Sequence, residues 1–171
     1  MPMKLHKRIM CLDIGLGHTG VAIWDKPSRK FIFADCIVTE KQTGSSAESS
    51  IARCRFLVKW LRKIARAYKV TNVIAEVPHG GAQSSTAMRA MAQSTACLAA
   101  FVELEEVSFT ALTPLDLKRV VSPDGHPVGK PEMIQWAKNI FGVKYFKGKK
   151  SAHEHIADAM ICLVAYQGMP E

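Results

Sequence analysis

The chain has 171 residues, 48% of them hydrophobic and 22% charged, with a formal net charge of +8 and an isoelectric point near 9.4. The length predicts one domain, residues 1–171, able to bury a core, and the composition is ordinary for a soluble globular protein. The charge points to a polyanionic partner, nucleic acid ahead of an anionic membrane surface, with a basic surface kept for solubility as the plainer alternative. No apolar run approaches the ~20 residues that span a bilayer. The basic start MPMKLHKR leads into a strand without a signal-cleavage pattern, so no membrane association and no secretion are expected.

Residues 9–12 form a short apolar run that ends on Asp13 and is closed by glycines, which predicts a strand buried on both faces. Gly15, Gly17 and Gly20 let the backbone turn tightly and would leave the space beside Asp13 open to a phosphate or a metal. A plainer reading makes Asp13 a turn residue capping the glycine loop. Residues 21–24 return as a second strand, and residues 31–38 follow the turn DKPSRK as a third, completing an antiparallel meander.

Ser45 and Glu48 have capping-box spacing and announce a helix whose apolar face includes Ile51, Cys54, Leu57, Leu61 and Ile64. Its other face carries Arg53, Arg55, Lys59, Arg62, Lys63 and Arg66, which reads as a solvated charge run. Residues 71–77 are a fourth strand containing Glu76 and stopped by Pro78. A helix over residues 84–103 follows, its alanines (Ala90, Ala92, Ala96, Ala99, Ala100) offering close approach to its own core or to a dimer partner. Residues 107–112 are a fifth strand, and Thr113-Pro114 starts a short helix carrying Lys118 and Arg119. After the flexible loop SPDGHPVG, a helix runs from Pro131 to Gly142; VKYFKGKK then gathers four lysines around Tyr145 and Phe146, and a last helix spans residues 151–167. Three antiparallel strands followed by strand–helix crossovers predict an α/β fold with a five-stranded mixed sheet flanked by helices.

Asp13 and Glu76 are acids inside apolar strands, and no lysine lies within a strand to neutralise them. If strands one and four are neighbours, the two carboxylates face each other. On the last helix, Glu154 and Asp158 share a face, and so do His155 and Asp158. Ser151-x-x-Glu154 has capping-box spacing that would turn Glu154 back onto the backbone, leaving His155 with Asp158, although either residue remains a candidate for the fourth position. Such a set in a basic protein fits two-metal phosphoryl chemistry, with ions roughly 3.5–4 Å apart. The five cysteines are odd in number, widely spaced and without a CxxC pair, so they are expected to be buried thiols in a reducing compartment.

Asp13-x-Gly15-x-x-x-Thr19-Gly20, Glu76 ending the fourth strand and His155-x-x-Asp158-Ala159 in the last helix together resemble the RuvC-type Holliday junction resolvases and their bacteriophage relatives. The resemblance covers nearly the whole chain and implies a ribonuclease H-like fold. It also implies a homodimeric, Mg2+-dependent endonuclease that nicks two opposing strands of four-way junction DNA, in recombination and repair, in the cytoplasm of a bacterial or phage-infected cell; no motor partner is indicated. Carried over, the metal ligands are Asp13, Glu76, His155 and Asp158. His155 stands where many members have aspartate, which would shift preference toward Mn2+. Lys118 and Lys130 match basic residues placed near the scissile phosphate. The loop after Glu76 reads His79-Gly80-Gly81, without the aromatic that often opens the junction centre in the family. His79, Gln83, Ser84, Ser85, Arg89 and Arg119 are further candidates for DNA contact.

Three alternatives compete with this reading. The motif DIGLGHTG also resembles the first phosphate loop of the actin, Hsp70 and sugar-kinase superfamily, but 171 residues hold only one of the two subdomains those enzymes need. The others are a less selective flap and fork nuclease, and a module that binds branched nucleic acid without cutting it.

Overall fold

The computed structural model describes residues 8–77 and 84–168. Strands β1 (Arg8–Asp13), β2 (His18–Asp25) and β3 (Lys30–Val38) form the expected antiparallel meander. Helix α1 (Ser46–Ala67), strand β4 (Asn72–Glu76), helix α2 (Ser85–Glu105) and strand β5 (Ser108–Leu112) follow, with β4 parallel to β1 and β5 parallel to β4. Helices α3 (Pro114–Val121), α4 (Lys130–Phe141) and α5 (Lys150–Gln167) complete the chain, a single 3-10 turn at Val143–Tyr145 linking the last two. The sheet order is β3-β2-β1-β4-β5, so the predicted mixed sheet is present. Among the described residues, no helix is long and apolar enough to cross a membrane.

The helix starts follow local chemistry. Ser45 Oγ accepts from the Glu48 amide at 3.2 Å, and Glu48 Oε2 accepts from the Ser45 amide at 3.0 Å, so the predicted capping box opens α1. Thr113 and Asp116 form a second such box with Pro114 inside the first turn of α3. The charged face of α1 is more than a solvated run. Arg62 Nε and Arg66 Nε donate to the two oxygens of Glu105 at 2.6 and 2.8 Å, pinning α1 to the end of α2.

Side chains alternate across β1. Met10 and Leu12 join the core under α1 and α2, with Leu57, Leu61, Leu98 and Phe101. Ile9 and Cys11 face the opposite core, with Leu117, Met133, Ile156 and Met160 of α3, α4 and α5. Helix α5 is buried on more than one stripe, since Ile156, Ala157, Ala159, Met160, Ile161, Cys162 and Leu163 are all enclosed while Val164 sits at the edge. The alternation carries Asp13 onto the α5 side of β1. In β4, Ile74 belongs to the same core, so Glu76 lies on that face as well, and the parallel register sets Asp13 directly against Glu76.

Gly15 and Gly20 do not hold open space for a ligand, contrary to expectation. A Cβ at Gly20 would stand 1.8 Å from the His155 carbonyl oxygen, because the backbone of α5 occupies that space. A Cβ at Gly15 would come within 2.5 Å of the His18 carbonyl oxygen of its own loop. Their small size serves packing: it lets α5 lie directly on β2. Gly20→Ala is therefore expected to destabilise the protein by about 3 kcal/mol or more, because backbone stands on both sides of the clash and neither can rotate away. A urea denaturation midpoint unchanged from wild type would show that α5 is not seated this closely.

Candidate active site

Five elements bring the chemistry together. Asp13 ends β1, Glu76 ends β4, Lys118 lies on α3 and Lys130 begins α4, while Glu154, His155 and Asp158 occupy the first turns of α5. Glu76, Lys118, Lys130, Glu154 and Asp158, with apolar Leu117 and Met133, line a cleft of about 210 Å³. A larger groove of about 870 Å³ between α1 and α2 has no carboxylate in its lining and belongs to the other face of the sheet. The ionisable chemistry sits in the smaller cleft.

Asp13 stands beside that cleft, joined to α5 through a 2.6 Å contact between Asp13 Oδ2 and His155 Nδ1. The hydrogen bond to Asp13 raises the pKa of His155, which favours the imidazolium. The rings of His18 and His155 stack in parallel, centroids 5.2 Å apart and planes 8° from coplanar. The loop that carries His18 is fixed from behind. Thr19 Oγ1 donates to the Gly15 carbonyl at 2.7 Å, the Thr39 amide donates to the Gly17 carbonyl at 2.9 Å, and Arg53 Nε donates to Thr39 Oγ1 at 2.9 Å. His18 was not foreseen as a neighbour of the site. Its partner is 137 positions away in sequence (155 minus 18), so no local spacing announces the pair.

The Ser151–Glu154 capping box does not form. Helix α5 begins one residue earlier, with Lys149 at its N-cap and no side-chain cap, so Ser151 already lies within the helix. Glu154 forms an ion pair with Lys130 at the start of α4 instead. A charge-assisted bond to an ammonium is stronger than one to a neutral amide. Glu154 and His155 thus both reach the site, Glu154 in the cleft and His155 on Asp13.

Burial chiefly, then repulsion from Asp13 and Asp158, pushes the Glu76 carboxyl up to about 8, against which the Lys118 charge works. Burial, Asp13 and Glu154 likewise push Asp158 up to about 7, opposed by His155 and Lys130. Asp25, at the other end of β2, behaves in the opposite way: hydrogen bonds from Ser28 and Arg8 hold it down at about 2. The nearby lysines therefore do not supply enough positive charge for Glu76 and Asp158 to ionise together at neutral pH. Oxygen donors in this electrostatic condition suit a hard divalent cation. Among the described residues, no three His, Cys, Asp or Glu side chains stand close enough to hold one ion. The donor chemistry fits such an ion, whereas Asp13 and Glu154 are engaged by His155 and Lys130.

Arg119, Ser84, Ser85 and Arg89 do not line the cleft. Arg119 is exposed, its guanidinium 4.0 Å from Asp116. Ser84 caps α2 by accepting the Ala87 amide at 3.1 Å, and Ser85 and Arg89 are exposed on its first turns. His79 and Gln83 fall outside the described residues.

The raised carboxyl pKa values give the metal-free protein a pH dependence of definite sign. Unfolded, Glu76 and Asp158 lose their protons near pH 4, whereas folded they keep them to about 8 and about 7. The folded state thus binds more protons across that interval, and stability falls as pH rises from about 4 to about 8. Urea midpoints measured in chelator should fall over that range for wild type and fall less for Glu76→Gln. A midpoint constant or rising with pH would contradict the electrostatics of the cleft.

No protein-family model and no curated protein sequence matches the chain. Solved structures do. T. thermophilus RuvC in complex with Holliday junction substrate superposes with a TM-score of 0.71 at 14% identity, over 95% of this chain and 93% of that one. A further Thermus thermophilus RuvC structure gives 0.68 at 15% identity, over 94% and 93%. The yeast mitochondrial Holliday junction resolvase gives 0.67 at 10% identity, over 96% and 79%. The chain has the ribonuclease H-like fold in the arrangement that RuvC-type resolvases adopt.

Proposed function

We propose that the protein is a divalent-metal-dependent DNA endonuclease that resolves four-way junctions. The observation that carries this reading is the electrostatic state of the cleft: Glu76 and Asp158, raised to about 8 and about 7, share one face of the sheet with Asp13, under a rim that includes Lys118 and Lys130. Carboxylates held in this condition on a scaffold built for packing serve a cation and a phosphate better than they serve stability. The likeness to resolvase folds, one of them bound to a Holliday junction, supports the choice of substrate.

In this reading Asp13, Glu76 and Asp158 would hold the cation, with His155 or Glu154 as the fourth donor. Mg2+, or Mn2+ given an imidazole ligand, would neutralise phosphate charge and make a water acidic enough to attack it. The chain's own residues do the rest. Lys118 and Lys130 place ammonium groups at the cleft wall, where charge develops on the scissile phosphate. His18 and the loop fixed by Thr39 and Arg53 hold His155 in place against Asp13. Arg119, Ser84, Ser85 and Arg89 would meet the DNA backbone beyond the cleft, and His79 and Gln83 are proposed as further DNA contacts.

A second copy would supply the second nick. The predicted alanines Ala92, Ala96, Ala99 and Ala100 of α2 point outward, and Met88 and Leu104 are exposed on the same helix. This stripe suits isologous packing, which would set two sites about a two-fold axis matching the symmetry of a junction.

The test is cleavage of a labelled four-way junction and a labelled flap. Wild type should nick the junction at paired symmetric positions, in Mg2+ or Mn2+ but not in chelator, and at least about tenfold faster than the flap. Lys118→Ala and Lys130→Ala should each slow nicking by about 10²-fold. Equal cutting of the flap would replace the resolvase reading with that of a general branched-DNA nuclease. Tight junction binding without nicks in either metal would make the protein a binding module. Two observations favour that second reading: the His155–Asp13 bond occupies an oxygen a metal would need, and no three ligating side chains among the described residues stand close enough to hold one ion.

A further inference from the structure

Residues 133–153 carry five lysines (Lys138, Lys144, Lys147, Lys149 and Lys150) and no acid, an imbalance that the cleft chemistry leaves unexplained. The structure shows this segment as a well-anchored ridge. Tyr145 Oη donates to the Phe31 carbonyl at 2.9 Å, and the Tyr145 ring packs edge-on against Phe31. Phe146 is buried against His153 and covered by Lys138, whose Nζ lies 5.4 Å from the ring centroid. With both aromatics turned inward, what the ridge presents outward is Lys144, Lys147, Lys149 and Lys150, all exposed. Lys144 and Lys147 overhang a cleft of about 490 Å³ along edge strand β3, beside Phe31, Phe33 and Ala34.

We infer that the ridge from Lys144 to Lys150 is a second DNA-binding surface, taking the phosphate backbone of a duplex arm as it leaves the catalytic cleft. This rests on the reading of the protein as a DNA nuclease. Two features select the ligand. Ammonium groups are point charges suited to phosphates and carry no base code, and the ridge lacks the exposed aromatic platform on which single strands stack. Position selects the role. Lys150 opens α5 five residues before His155, about 7.5 Å along the helix axis, so the ridge begins near the site and runs from there along edge strand β3.

The experiment is equilibrium binding of a labelled four-way junction in chelator, where no cutting occurs, over roughly 50–200 mM salt. Two variants of equal net charge are compared with wild type: Lys144→Gln, Lys147→Gln, Lys149→Gln on the ridge, and Arg55→Gln, Lys59→Gln, Lys63→Gln on α1. The ridge triple should bind at least tenfold more weakly at low salt and flatten the log–log salt slope by about 2–3, since each phosphate contact contributes about 0.9. The α1 triple should keep the wild-type slope. Equal weakening by both triples would overturn the ridge in favour of net charge alone, and an unchanged slope in the ridge triple would overturn it outright. Wild type that binds no junction at any salt would overturn the DNA reading itself.

Discussion

Helix α5 lies on β2 with its backbone at His155 filling the space that any side chain at Gly20 would occupy. This contact fixes the height and rotation of α5 above the sheet. The two strand-end carboxylates and the acid of α5 come to the same face of the sheet because of it. The period-2 alternation of β1 and β4 delivers Asp13 and Glu76 to the α5 face, and their parallel register aligns them. Seated this closely, α5 sets His155 on Asp13 and turns Asp158 toward Glu76 and Lys130. The extensive apolar burial of α5 holds that position.

The same packing creates an electrostatic conflict. Asp25 shows how the protein treats an acid meant to stabilise it: Ser28 and Arg8 bond to it and its pKa drops to about 2. Glu76 and Asp158 are treated in the reverse manner, pushed up by burial and by the Asp13 carboxylate although Lys118 and Lys130 are close. A structural role would be met more cheaply by a glutamine or by a neutralised pair. Positive charge brought in by a bound cation would relieve the conflict.

Much of this was legible in the sequence because it is local. The apolar run ending on Asp13, the placement of Glu76 in β4, and the capping signals at Ser45 and Thr113 each depend on a few neighbouring residues, and each appears in the structure as expected. The failures are non-local. The Ser151–Glu154 spacing had the right residues for a cap, but the chain enters α5 one residue earlier, and Lys130 from another helix takes Glu154. Gly20 has the sequence look of ligand space, whereas it accommodates a helix more than a hundred residues downstream. Arg62 and Arg66 looked solvated until α2 brought Glu105 to them. In each case the deciding partner was set by tertiary packing, which spacing along one element does not encode.

In the function proposed here, Asp13, Glu76 and Asp158 are drawn together on a divalent cation. The most direct measurement is the melting temperature of the purified protein, with and without Mg2+ or Mn2+, at about pH 8 and about pH 5, for wild type and Asp158→Asn. A cation that binds the folded cluster stabilises it by mass action, and must displace the protons that burial retains there. The expected result is a metal-dependent rise at about pH 8 that shrinks at about pH 5 and is lost in Asp158→Asn. No rise at either pH, or one that persists unchanged in Asp158→Asn, would contradict it.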